Sequence, residues 1–414
     1  MGALAAATVF AVFTLSAETA KADRWSQFGG SRLAAWDRYD SRHAAREWEV
    51  NPPRGFPTLS RANIEPLKAA INSYTAIVKQ GGWKTIPMVE LRPGRRSDTV
   101  ALLRRRLEMT GDLQVRSNRP RRYDSYVEAA VRNFQARHGL SPTGVPDKAT
   151  LLALNVPAKA RLRQLRTNLS RLNTLSKSAA KRYVLVNIPA AQIEAVNQDQ
   201  VVSRHAAVVG KIDRRTPVLR SRIHEINFNP YWHIPASIVR KDLVPKARQY
   251  ARLGKDVLGT YRIDAYDGRG RKLDPAKINW FSNSVYGYRY RQQPWEDNSM
   301  GFVKINFHNK HSVYMHDTPS KSLFGRNFRA HSSGCVRVQN VQQLVSWLLT
   351  SNSDWDARRV AHMKATGERK DVRLKQRVPV YFAYLTAWST QDGVVHFRRD
   401  LYRRDGVGVM ASAY

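Results

Sequence analysis

His316-Asp-Thr-Pro-Ser-Lys-Ser-Leu-Phe-Gly-Arg-Asn-Phe-Arg-Ala-His-Ser-Ser-Gly-Cys-Val-Arg337 contains the one cysteine of the 414-residue chain. A thiol becomes a nucleophile when a base or a positive charge beside it lowers its pKa. Two histidines are candidates. His331 lies four residues before Cys335 across a Ser-Ser-Gly bend, and His316 ends Ser312-Val-Tyr-Met-His316, which alternates like a strand. A strand end is a firm mount for a base. Gly334 permits close backbone approach, so main-chain N–H groups there could face a reacting carbonyl oxygen as an oxyanion hole. A lone cysteine is often no more than a small buried hydrophobe. Here Ser332, Ser333 and Arg337 point instead to an accessible, electropositive setting and to acyl transfer.

The surrounding composition, 42% hydrophobic and 25% charged, allows two or three cores of ordinary domain size. The chain carries 69 Lys+Arg against 33 Asp+Glu, a net charge of +36, so a polyanion is a candidate partner: nucleic acid, anionic lipid or an acidic wall polymer. Ala3–Ala17 is apolar and is followed by Ala20-Lys-Ala22, a small-x-small cleavage pattern, so residues 1–22 read as a secretory signal. The run is short for a bilayer span, and a membrane association is expected only if the segment is retained. In an oxidising compartment a single cysteine has no partner within its own chain. Catalysis explains it, and a disulfide between chains is the structural alternative.

Residues 23–60 are rich in Arg, Trp, Pro and Gly, and Asn51-Pro-Pro-Arg-Gly-Phe-Pro57 cannot sustain a helix, so this reads as a linker or wrapping arm. Ile64, Leu67, Ile71, Tyr74 and Val78 predict a helix ending at Gly81-Gly82, packed on the next unit of the chain. Val100, Leu103 and Leu107, then Val127, Val131 and Phe134, then Ala149–Leu154 predict three helices. Arg161–Leu175 predicts a basic connecting helix, with Leu162, Leu165, Leu169 and Leu172 on one side and solvated arginines elsewhere. From Tyr183 the period shifts to strands at 183–188, 201–209, 223–228, 303–307 and 313–316, with closing strands in 378–388 and 394–397. The stretch 236–300 opens as a helix over Ser237–Leu253 and turns aromatic, which by itself reads as a plain surface excursion.

Histidines 308, 311 and 316 invite a metal reading, but there is no His-Glu-x-x-His and no cysteine pair, so no metal and no cofactor are expected. His205, His224, His233 and His396 read as packing residues. The Asp317 side chain, next to His316, is expected on the other sheet face, and its carbonyl oxygen is the better candidate to hold the imidazole.

The active stretch resembles the signature of the YkuD-type L,D-transpeptidases: a histidine, about twenty residues, then Ser-x-Gly-Cys. Here His316 precedes Cys335 by 19 residues. His316-Asp-Thr-Pro-Ser320 with Ser332-Ser-Gly-Cys-Val-Arg337 is similar to the YcbB subgroup of Gram-negative bacteria. Many members have a histidine before Gly-Cys and an asparagine two residues after the cysteine, where this chain has Ser333 and Arg337. Gly210-Lys211, Thr216-Pro217 and Asn229-Pro-Tyr-Trp-His-Ile-Pro235 stand where that domain has its recurring loops. Arg132-Asn-Phe-Gln-Ala-Arg-His-Gly-Leu-Ser-Pro-Thr-Gly144 with Thr150-Leu-Leu-Ala-Leu-Asn155 resembles a small peptidoglycan-binding domain.

The resemblance implies a multidomain α+β protein. Its parts are a signal (1–22), an arm and helix (23–87), a three-helix peptidoglycan-binding-like domain (88–157), a connecting helix (158–181) and a mainly β catalytic domain (182–414). A capping insertion (236–300) belongs to the last. It implies Cys335 as nucleophile, His316 as general acid/base, the backbone of Ser333 and Gly334 as oxyanion donors, and Tyr314, Ser332 and Arg337 as substrate contacts. Donor and acceptor stem peptides of peptidoglycan are the implied partners, carbapenems the implied inhibitors, and the periplasm of a Gram-negative bacterium the implied location. No nucleic-acid partner is expected of an exported protein. Hydrolysis, D-amino-acid exchange, protein attachment to the wall, and a purely wall-binding role are the alternatives.

Overall fold

The computed structural model describes residues 55–115 and 117–408; the expected signal and most of the arm lie outside the described residues. Three helices, Asp98–Met109, Ser125–Arg137 and Lys148–Leu154, form the first unit. Each opens on a side-chain cap: Ser97 Oγ, Asp124 and Asp147 accept the N–H of Val100, Val127 and Thr150, each three residues on. Val100, Leu103, Leu107, Val127, Val131, Phe134, Leu151 and Leu154 make its core, as the helical spacing predicts. Asn155 closes the unit by exchanging two hydrogen bonds with the backbone of Ile86 (2.8 and 2.7 Å), so the domain starts slightly before residue 88.

The second unit is built of strands. In chain order they are β1 (Arg182–Asn187), β2 (Gln192–Asn197), β3 (Gln200–Gly210), β4 (Leu219–Phe228), β5 (Trp232–His233), β6 (Ile263–Tyr266), β7 (Arg289–Gln292), β8 (Val303–Phe307), β9 (Met315–His316), β10 (Ala330–Ser332), β11 (Val336–Val338), β12 (Lys370–Ala383), β13 (Ala387–Ser389) and β14 (Val395–Phe397). Nine of them form one sheet in the order β10-β3-β11-β9-β8-β4-β12-β1-β2, and β2 pairs back onto β3, so the sheet closes on itself. Inside it Val184, Val186, Ile193, Ile305, Met315 and Val336 meet the helices Val341–Leu348 and Ala357–Thr366. A hairpin of β13 and β14 completes the domain.

The first helix, expected to pack on the helical unit that follows it, packs instead on the connecting helix and the sheet. Ile64–Lys79 packs with Ala158–Ser176 over the outer face of the sheet, where Leu67, Tyr74, Leu162, Leu165 and Leu172 cover Tyr183, Leu185 and Tyr381. Strand β1 is therefore buried on both faces, and its apolar run needs both layers. The connecting helix is not simply solvated: Arg161 is fully buried with Nη2 donating to Ala153 O (3.0 Å), and Arg171 pairs with Asp405 (2.6 Å). Periodicity shows the leucine stripe but not that a second, cationic stripe meets carbonyls and a carboxylate.

The helical unit is docked on the sheet domain through paired polar contacts. Arg137 Nη1 donates to Val395 O (3.1 Å), Arg398 Nη1 to Arg137 O (2.8 Å), and Ser141 N and Oγ both donate to Asn327 Oδ1 (2.9 and 3.0 Å). The insertion is a subdomain with its own core, Trp232, Leu243, Val257, Ile263, Trp280 and Tyr290 among it. It carries a small sheet in the order β5-β7-β6. This excludes a plain surface excursion.

Candidate active site

Cys335 sits between β10 and β11, and register decides its neighbours. β11 runs parallel to β9 with Val336 opposite Met315 and Arg337 opposite His316, and β9 pairs with β8 so that Lys304 opposes His316. Side chains alternate across a strand. Cys335, Arg337, Tyr314, His316 and Lys304 therefore share one face. The excursion between histidine and cysteine is what lets two adjacent strands run parallel.

His316 is buried, and its Nδ1 lies 2.5 Å from Asp317 O, the carbonyl the sequence singles out. A carbonyl only accepts, so Nδ1 carries the proton and Nε2 offers its lone pair to the cleft. The Asp317 carboxylate braces this turn by accepting from Phe302 N (3.2 Å) and pairing with Lys321. Burial, then the charge of Arg337, with further contributions from Lys304 and Lys321, holds the imidazole down at about 3, so it is neutral near pH 7. His331 is fastened to its own loop: Nε2 donates to Phe328 O (3.0 Å) and the ring lies edge-on to Phe328.

The thiol departs from expectation. Burial pushes Cys335 above its ordinary pKa, and the opposing hydrogen bonds from Tyr314 and charges of Lys304 and Arg337 do not overturn it. The resting pair is thus a thiol beside a neutral imidazole. Tyr314, raised well above its usual range by burial and then by the sulfur, stands 5.7 Å from the His316 ring and joins the insertion core beside Trp232.

The turn before the cysteine is held from four sides. Gly334 has φ +120°, which explains the glycine better than close approach does: a Cβ there would find nothing nearer than 3.7 Å. Thr216 Oγ1 accepts Gly210 N–H and donates to Gly334 O (2.8 Å each), while Tyr402 Oη donates to Gly210 O (2.7 Å). At Gly210 space is the constraint, since a Cβ would fall 2.2 Å from Arg214 O. Ser332 Oγ donates to Cys335 O (2.5 Å) and accepts Gly334 N–H (3.1 Å). Gly334 N–H is thereby engaged and Ser332 braces the turn, which corrects the expected oxyanion role of the first and substrate role of the second. Among the described residues, the N–H groups of Ser333 and Cys335 meet no acceptor.

Four contributors escaped the sequence. Lys304 faces the site from the polar phase of Val303–Phe307, an alternation legible in sequence although its register is not. Trp232 lies beside Tyr314. Arg214 Nη1 donates to Ser333 Oγ (2.9 Å) and pairs with Asp242 of the insertion, joining that subdomain to the turn before Cys335. Among the described residues no three His, Cys, Asp or Glu side chains are placed to hold a metal ion, and no helix is long and apolar enough to cross a membrane. His308 stacks instead on His224 at 4.1 Å.

Comparison with known proteins bears on this site. Residues 181–372 match the L,D-transpeptidase catalytic domain family YkuD, and residues 96–154 match a peptidoglycan-binding domain family. A Haemophilus influenzae protein named as a candidate L,D-transpeptidase is 32% identical over 223 residues, 54% of this chain and 44% of that protein's length. The chain thus spans about half the length of this relative. Among solved structures, an L,D-transpeptidase from Stackebrandtia nassauensis is 12% identical with a TM-score of 0.28, covering 72% of this chain and 96% of its own. One from Xylanimonas cellulosilytica is 14% identical with a TM-score of 0.24, covering 71% and 97%. Both are too distant to inform the site.

Proposed function

We propose that this chain, whose residues 181–372 match the YkuD L,D-transpeptidase catalytic domain and 96–154 a peptidoglycan-binding domain, is a periplasmic enzyme of a Gram-negative bacterium that cross-links peptidoglycan through a Cys335 thioester. The observation that carries this reading is the shared face of Cys335 and His316, with the imidazole tautomer set by Asp317 O and two unengaged N–H groups at the nucleophile turn.

In the donor step His316 Nε2 takes the thiol proton as the sulfur attacks the carbonyl of the third stem residue. The N–H groups of Ser333 and Cys335 receive the oxyanion. Collapse breaks the amide bond, and the imidazolium returns its proton to the departing D-alanine amine. The acceptor amine of a neighbouring stem then attacks the thioester, loses a proton to His316 and displaces the sulfur, which is reprotonated. Tyr314 hydrogen-bonds the sulfur, and Lys304 and Arg337 stabilise its negative form. The insertion closes over the donor, and carbapenems acylate the same sulfur.

Incubation with tetrapeptide muropeptides, with products resolved by mass, tests the reading. Dimers linked between third residues and free D-alanine are expected, and neither with Cys335→Ala. Tripeptide alone would assign hydrolysis, and intact substrate in folded protein would leave only wall binding.

A further inference from the structure

A second site lies on the same sheet, away from the sulfur. A cavity of about 540 Å³ opens beside β4 and β12, and Arg220, Arg222, His308 and Arg377 line it together with the hydroxyls of Ser221 and Tyr381. No acidic residue lines it. β4 is three strands from β11, about 14 Å across the sheet at roughly 4.8 Å per strand.

Two irregularities build this cavity. Between the pairs Arg373–Glu225 and Val378–Ile223, β12 holds four residues against one on β4, and the β4–β8 ladder shifts at the same residue, His224. Bulges re-aim side chains. This one brings Arg377 to the wall where Arg222 stands. Arg220 is fixed, donating to Ser178 Oγ (2.7 Å) and Thr174 O (3.3 Å) with its guanidinium 5.7 Å from the Tyr381 ring centre. Ser221 Oγ is 2.6 Å from His308 O. Arg222 and Arg377, by contrast, have no acidic partner among the described residues. The nearby carboxylate of Glu225 is occupied, accepting from Asn227 Nδ2 (2.9 Å) and facing Arg373 (3.9 Å).

Two exposed guanidinium forks line one cavity that has no acidic residue in its wall, while the Ser221 and Tyr381 hydroxyls are spent on the carbonyls of His308 and Ser178, so the open donors are the arginines. Each fork matches two oxygens of a planar or tetrahedral oxyanion. Two forks on one group call for at least three oxygens, which favours phosphate over a single carboxylate. The volume exceeds one ion and fits a small ligand or the end of a larger one. We propose that this cavity is a binding site for a phosphate group, separate from the thiol site.

The test uses the whole protein in about 0.15 M salt, where exposed charges are screened beyond roughly 8 Å, with pyrophosphate, inorganic phosphate and acetate as separate probes in calorimetric titrations. Pyrophosphate and phosphate are expected to bind, acetate at least tenfold more weakly. R222Q/R377Q should weaken phosphate binding tenfold or more. A control pair on an exposed helix, R358Q with K364Q, should leave it unchanged. Carbapenem acylation of Cys335 should stay at its original rate in R222Q/R377Q, a readout independent of phosphate binding. Equal affinity in R222Q/R377Q, or equal loss in the control pair, means an adventitious ion only and overturns the site. Acetate binding as tightly as phosphate overturns the assignment of chemistry, and slowed acylation overturns the separation from the thiol.

Discussion

Lowering the pH from 7 to 5 separates this imidazole from an ordinary one. With His316 held at about 3, about one molecule in a hundred is protonated on that ring at pH 5. A histidine at its usual value of about 6.5 would be roughly 97% protonated there, and its neutral fraction would fall about 25-fold between pH 7 and 5. The thiol, pushed up by burial, keeps its proton across that range. The reactive thiol–imidazole pair therefore keeps nearly constant population, and carbapenem acylation of Cys335 is expected to change less than twofold from pH 5 to 7. The assay is intact-protein mass against time at each pH, with peptide mapping of the adduct and near-ultraviolet circular dichroism to count folded protein. His316→Ala should slow capture at pH 7, and His331→Ala should not, since that ring is spent on Phe328 O. An order-of-magnitude loss centred near pH 6.5 in folded protein, or equal slowing by both substitutions, refutes the reasoning.

Stability, unlike acylation, should depend on pH over this range. Burial lowers His205 to about 4 and His316 to about 3, so their neutral forms stabilise the fold fully above pH 6.5, and that contribution drains as pH falls toward the folded values. Urea unfolding should show each histidine removing about 1.4 kcal/mol per pH unit, and His205→Gln should lower the slope by one proton between 6.5 and about 4. Asp112→Ala leaves Arg137 buried without its carboxylate, whose bonds measure 2.6 and 2.5 Å. A loss of about 3–5 kcal/mol is expected in the same assay. Arg214→Gln removes a charge-assisted hydrogen bond worth about 1.5–3 kcal/mol from the Ser333 turn. Acylation should slow about tenfold or more with unchanged circular dichroism, and Arg214→Lys should restore part of the rate. Gly210→Ala drives a Cβ onto backbone at 2.2 Å, so little soluble folded protein is expected on expression.

The helices around Leu103, Phe134 and Leu154 and the strands around Val186, Val209 and Ile305 were legible because one buried face imposes a period on the residues beneath it. Short members were not. β10 and β11 hold three residues each, too few for any period, and β2, absent from the expected strands, is defined by its pairing with both β1 and β3. The packing of the two flanking helices escaped for a related reason: an amphipathic helix shows that it has a partner, not which one. Ile64–Lys79 and Ala158–Ser176 found each other across the whole of the intervening helical unit.

By itself the sequence determined the chemistry to look for: one thiol, a histidine at a strand end, a glycine in the turn before the thiol, and a resemblance to a known signature. Those are properties of residue type and spacing, which need no third dimension. Tertiary structure decided what register and burial control. It set His316 beside Arg337, brought Lys304 onto the same face, gave Gly334 N–H to Ser332, joined Arg214 to Asp242, and pushed the thiol up rather than down. Cations near a thiol in sequence imply a lowered pKa, yet desolvation depends on what folds over the sulfur, and only packing settles which effect is larger.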